Sequence, residues 1–123
     1  MALPPRKPLY WIGTAREDLQ ACPAPVQDVL GKALLVAQLG GIPREAKRLK
    51  GDLGGLVELV DDFDGDTYRA VYTAKLAGVI YVLHVFQKKS THGIATPTRH
   101  LHLIKQRLAW AIAHAKALPE ETP

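Results

Sequence analysis

The chain has 123 residues, 47% of them hydrophobic and 23% charged. That is enough for one domain with its own core, and too apolar for a disordered chain. One cysteine, Cys22, excludes a disulfide framework or a cysteine-built metal cluster, and no apolar run reaches the roughly 20 residues of a membrane helix. The opening MALPPRKPLYWIG has no long apolar stretch after its basic pair, so no secretory signal is expected and a reducing cytoplasm fits.

The net charge of +4 is unevenly spread. Between Thr67 and Pro119 there is no acid, while Arg69, Lys75, Lys88, Lys89, Arg99, Lys105, Arg107, Lys116 and all five histidines lie there. A half-chain of one sign points to an anionic partner: nucleic acid, an acidic protein or a phosphate ligand. Lysines that merely solvate a helix and strand ends are the plainer reading.

In chain order, PLYWI (8–12) reads as a short strand. Thr14 followed by Glu17 has the spacing of a capping box and opens a short helix that Pro23 stops. Val26, Val29, Leu30, Ala33, Leu34 and Ala37 recur at helical spacing up to Gly40–Gly41. REAKRLKG (44–51) is a basic connector or short strand. GLVELVDDF (55–63), TYRAVYTA (67–74) and VIYVLHVF (79–86) read as three strands joined by DGD and KLAG turns, an antiparallel meander. Alternation puts Tyr68, Ala70 and Tyr72 on one face and Arg69, Val71 and Thr73 on the other. The third strand is apolar almost throughout and suits a centre covered on both faces. Thr96 is placed to cap a last helix with Pro97 at its first position, striped by Leu101, Ile104, Leu108, Ala111, Ile112 and Ala115. The expected fold is α+β: an N-terminal helical hairpin on a small twisted antiparallel sheet, then a C-terminal helix, as one domain over 1–123 with 1–7 and 118–123 flexible.

Several chemistries are missing. There is no Gly-rich phosphate loop, no HExxH and no serine elbow. His100 and His102 are two apart, so on a helix they cannot share a metal; no metal and no cofactor is expected. Asp61, Asp62, Asp64 and Asp66 bracket a turn, where acids serve turn chemistry. What remains is basic. Lys47 and Lys50 lead into the meander, Arg69 sits mid-strand, and Lys88 and Lys89 end the apolar strand. Arg69 has two readings: a cross-strand ion pair with Glu58, or a fork for phosphate oxygens. Tyr72, with Tyr68 and Tyr81, is placed to stack on bases or to pack in the sheet. His84 lies in the apolar run and His92 in the loop after the lysines. Both have ring pKa values near 6.5 when unperturbed, suited to proton transfer.

TYRAVYT followed by GVIYVLHVFQKKSTHGIATP resembles the RelE/ParE toxin superfamily, and most its phage-derived, HigB-like branch. That branch has a tyrosine–arginine strand, an apolar strand ending in His-x-Phe-x-Lys-Lys, and a Thr-Pro helix start; LKGDLGGLVEL matches its preceding segment. The resemblance spans roughly residues 8–117. It implies a RelE-like fold and a cytoplasmic type II toxin neutralised by a helix-turn-helix antitoxin. It also implies an endoribonuclease that cuts mRNA on the ribosome without metal, by attack of the 2′-hydroxyl on the adjacent phosphate. By the same resemblance Arg69, Lys88 and Lys89 stabilise charge on that phosphate and Lys47 and Lys50 contact the RNA backbone, with Tyr72 the candidate to stack on a base. Glu58 stands where RelE itself has lysines, and RelE's C-terminal tyrosine has no counterpart, so His84 and His92 are the candidates for proton transfer. Two alternatives stay open: a ParE-like gyrase inhibitor without catalysis, and a non-catalytic nucleic-acid-binding module. The helices, with Trp110, are candidates to meet the antitoxin.

Overall fold

The computed structural model of the chain describes residues 5–89 and 96–119. The elements are β1 (Leu9–Trp11), α1 (Ala15–Gln20), α2 (Ala24–Gln38), β2 (Ala46–Arg48), a 3-10 turn at Gly51–Leu53, β3 (Val57–Phe63), β4 (Asp66–Leu76), β5 (Val79–Lys89) and α3 (Thr98–Ala117). The meander forms as predicted. Asp64 and Gly65 have φ of 52° and 84°, and Ala77 and Gly78 have 53° and 68°. Each pair links strand ends in direct register, Phe63 with Asp66 and Leu76 with Val79. Two consecutive left-handed residues give a turn whose twist matches that of the strands it joins.

The five strands run in the order β1-β5-β4-β3-β2. β1 lies parallel to β5, with Leu9 opposite Ile80, so the sheet is mixed and not wholly antiparallel as expected. Tight turns dictate direction only between consecutive strands. β1 joins the sheet beside a strand some seventy residues away, as the parallel pairing across α1 and α2 permits.

The two faces of the sheet are covered by different helices. On one, Leu19, Val26, Leu30, Ala33, Leu34 and Ala37 of α1 and α2 pack on Leu59, Tyr68, Ala70, Tyr72, Ile80, Val82 and Val85. On the other, Ile104 and Ala111 of α3 pack on Leu56, Val71, Tyr81, Leu83 and Phe86. β5 supplies both cores, and its residues 79–86 are all buried, which is why it reads as apolar throughout.

Thr14 is the N-cap of α1, as expected, but the expected side-chain cap and the cap of α3 differ. Thr14 makes no cap bond; its hydroxyl donates to Asp18 Oδ2 at 2.7 Å and accepts from Arg107. Pro97, not Thr96, is the N-cap of α3. The prolines before α2 and α3 make these starts by their restricted backbones, with no side-chain cap bond. Trp110 stands 55% exposed on the outside of α3, stacked on His114 with ring centroids 4.9 Å apart.

Gly13, between β1 and α1, has φ of +56°, and a Cβ there would come within 2.9 Å of the Arg107 guanidinium. Gly13→Ala adds a left-handed alanine and displaces the arginine. It should lower unfolding stability by about 1–3 kcal/mol, read as a lower urea midpoint; an unchanged midpoint would show that Arg107 moves aside freely.

Candidate nucleic-acid interface

Register places the basic residues. On β4, Thr67, Arg69 and Val71 share the α3 face, as the alternation predicted. Across the β4–β5 ladder Lys88 stands opposite Thr67, Phe86 opposite Arg69 and His84 opposite Val71. Across β3, Glu58 stands opposite Val71 and, on its other side, opposite Lys47 of β2. Directly paired residues in an antiparallel ladder point to the same face. Lys47, Glu58, Arg69, Phe86 and Lys88 therefore lie on the side of the sheet on which α3 packs, with Phe86 in the α3-side core and Asp62, opposite Thr67, on the same face. Arg69 and Lys88 are half-buried there and Lys47 is exposed.

Arg69 makes the cross-strand pair. Its Nη1 donates to Glu58 Oε1, while its Nε is buried without a hydrogen-bond partner. Glu58 is only 5% exposed. The pair thus orients the guanidinium and uses only part of its fork, leaving donors on a planar cation of the kind that binds phosphate oxygens two at a time.

His84 owes its place to a break in the ladder. The β4–β5 register shifts between Val71 and Tyr72, so that Val71 faces His84 but Tyr72 faces Val82. Leu83 is the extra residue of this β-bulge. It and His84 both turn toward α3, and bulges re-aim side chains in this way. His84 is buried. Its Nδ1 lies 3.0 Å from Arg107 Nη1, which also donates to the Leu83 carbonyl at 3.0 Å. Its Nε2 lies 2.8 Å from His100 Nδ1. Phe86 stacks on both rings, at 4.9 Å from His84 and 4.3 Å from His100. Burial first, then the positive charges of Arg107 and His100, push the His84 pKa down to about 4 against a smaller opposing pull from Asp18. His100 is also lowered, by burial and by Arg99.

Residues 17–109 match the family model described as phage-derived protein Gp49-like. The chain belongs to the Gp49-like family. A solved chain of the toxin–antitoxin complex RelBE2 from Mycobacterium tuberculosis has a similar fold, with TM-score 0.50 and 21% identity, over 68% of this chain and 99% of that one. The resemblance to the RelE/ParE superfamily is thereby borne out at the level of family and fold. No curated protein is similar enough to count as a match.

The Gp49-like chain puts Arg69 and Lys88 on adjacent strands of one face and Lys47 farther off on the same face, but not every expected residue is there. Tyr72 is 3% exposed in the core under α2, on the opposite side of the sheet. It cannot stack on a base from there, and burial raises its pKa. It lines instead a cleft of about 550 Å³ with Lys7, Arg48 and Lys75. Among the described residues, no histidine or carboxylate lines that cleft. His84 is on the right side of the sheet but is buried with both ring nitrogens engaged, so it is not the group that meets a substrate. Lys50 is exposed just before the 3-10 turn, outside the paired strands. Lys89 ends β5 in register with Asp66, its side chain outside the described residues, as is all of His92. Sequence reasoning passed over His100 and Arg107. The signal was the apolar stripe of α3, which places residues 100, 104, 107 and 111 toward one side; the His84 bulge had no sequence signature.

A neutral buried His84 links stability to pH. Its folded pKa lies below the unfolded value near 6.5, so the unfolded chain binds the proton more readily. Its contribution is complete above about pH 6.5 and is lost as pH falls toward 4, a change on the order of 2–3 kcal/mol. Urea midpoints should fall over that window more steeply for wild type than for His84→Gln. Parallel curves would place the titration elsewhere.

Proposed function

We propose that this Gp49-like protein is the toxin of a type II toxin–antitoxin system, acting as an endoribonuclease on ribosome-bound mRNA. The observation that carries the reading is the presence of Arg69 and Lys88, a half-engaged guanidinium and an ammonium, as diagonal neighbours on one face of the β4–β5 ladder. Such a face suits a polymeric anion that lies across it. The toxin–antitoxin complex to which the solved neighbour belongs supports a protein partner, which we take to be a helix-turn-helix antitoxin, and the absence of any helix long and apolar enough to cross a membrane among the described residues accords with a cytoplasmic target.

In the reaction the RNA 2′-oxygen attacks its own phosphorus, the P–O5′ bond breaks, and the products are a 2′,3′-cyclic phosphate and a 5′-hydroxyl. Charge builds on the phosphate oxygens as five oxygens crowd around phosphorus. Arg69, Lys88 and Lys89 are the groups we assign to that charge, which pre-placed cations stabilise more in the transition state than in the ground state. Lys47 and Lys50 hold the backbone on either side. His92, three residues after Lys89, is assigned the 2′-hydroxyl proton, a transfer that suits an imidazole, and the leaving 5′-oxygen takes a proton from solvent.

Induced expression in a bacterium with 5′-end mapping of mRNA tests the reading. Wild type should arrest growth and leave cuts within translated frames. Lys88→Ala/Lys89→Ala should reduce cutting by about 10²-fold or more while the protein stays folded. Arrest without cuts, accompanied by loss of supercoiling, would favour a gyrase inhibitor, and RNA binding undiminished in an uncutting wild type would favour a binding module.

A further inference from the structure

The contacts of Arg107 decide where the protons sit on two histidines. A guanidinium is always protonated and can only donate. Arg107 Nη1 therefore requires a lone pair on His84 Nδ1, and neutral His84 carries its proton on Nε2. That N–H faces His100 Nδ1 at 2.8 Å, so His100 must accept there, and its own proton is on Nε2. A second proton on His100 would set two N–H groups against each other at that distance. The surroundings act in the same direction. Arg107 and Arg99 on α3 face the pair, the nearby sheet cations are Arg69, paired to Glu58, and Lys88, and the acid that opposes them is Asp18 on α1. His100 also sits in the first turn of α3, where the helix N-terminus disfavours a cationic ring.

His100 is half-buried and stacks on Phe86, which stands opposite Arg69 in the ladder. Its ring thus borders the cationic face. We propose that His100 serves that face as a neutral imidazole whose Nε2–H donates a hydrogen bond to a phosphate oxygen of the bound RNA, with His84 and Arg107 as positioning residues that hold it in this tautomer. The proposal rests on the ribonuclease reading for its substrate. It excludes His100 as a general base: its one lone pair, on Nδ1, is occupied by His84. A donor locked in this way keeps its role at any pH where the pair stays neutral.

The alternative is a packed histidine pair that only fills space beneath α3, and two measurements separate the two. The first is ¹⁵N NMR of the full chain. Both histidines should show the Nε2–H form at neutral pH, and the His100 Nε2–H resonance should move when a short 2′-O-methyl RNA, which cannot be cut, is added. A proton on His84 Nδ1, or a His100 resonance that the RNA leaves in place, overturns the proposal. The second is single-turnover cleavage on programmed ribosomes. His100→Ala should slow cleavage about 10–100-fold. His100→Gln, whose amide donates without titrating, should stay within about fivefold of wild type, and their ratio should be constant from pH 6 to 8. A glutamine variant as slow as the alanine one, or a ratio that changes tenfold with pH, overturns it. If wild type cuts no RNA while the NMR results are as expected, the ribonuclease reading fails and the phosphate-donor assignment stands as one of binding.

Discussion

Arg107 holds the open end of the molecule together. From α3 it donates to the Leu83 carbonyl at 3.0 Å, to His84 Nδ1 at 3.0 Å and to Thr14 Oγ1 at 3.2 Å. It thus joins the central strand, the C-terminal helix and the turn into α1. Arg107 is half-buried, and each of these partners is supplied by a different local device. The bulge in β5 leaves the Leu83 carbonyl and turns His84 inward. The Thr14 hydroxyl donates its hydrogen bond to Asp18, leaving its lone pairs for the guanidinium. Gly13 supplies the space that any side chain would occupy.

The same cluster connects packing to chemistry. α3 lies on the sheet through Ile104 and Ala111, and Arg107 sets its position along β5. His100, two turns earlier on the helix, consequently rests on Phe86, opposite Arg69 in the ladder. The Arg69–Glu58 pair does corresponding work two strands away by holding a guanidinium in one orientation above the sheet. One end of the sheet is therefore a cationic surface built on strands and backed by two cores. Rigid placement of this kind lets charges be arranged before a substrate arrives.

The other side of the sheet shows why composition alone misleads. Tyr68 and Tyr72 alternate with Arg69 in the manner of an aromatic and basic nucleic-acid platform, yet α1 and α2 cover their face completely. The arginine and the tyrosines belong to different layers. The outside of α3 shows the reverse case, with Trp110 outside the core although its helix is amphipathic; the aromatic stack there, formed with His114 and Tyr10, lies about 15 Å along the helix from His100 by helical rise.

Much of this protein follows from the chain order of its residues. Asp64–Gly65 and Ala77–Gly78 determine two tight turns, these determine the meander, and period-two alternation then determines that Arg69 and Val71 oppose Tyr68 and Tyr72. The burial of β5 follows from its unbroken apolar run. Local rules reach this far because consecutive strands and turn residues interact over a few positions. The parallel placing of β1, the choice of which helix covers which face, the bulge at Leu83 and the meeting of His84 with His100 and Arg107 were decided in three dimensions. The bulge joins residues ten to thirteen positions apart and the others sixteen or more, and packing two helices on opposite faces of one sheet is a balance of buried area that no single segment contains. The neutral state of His84 belongs to this second group: the same residue in a solvated strand would titrate near pH 6.5, and only its neighbours take it to about 4.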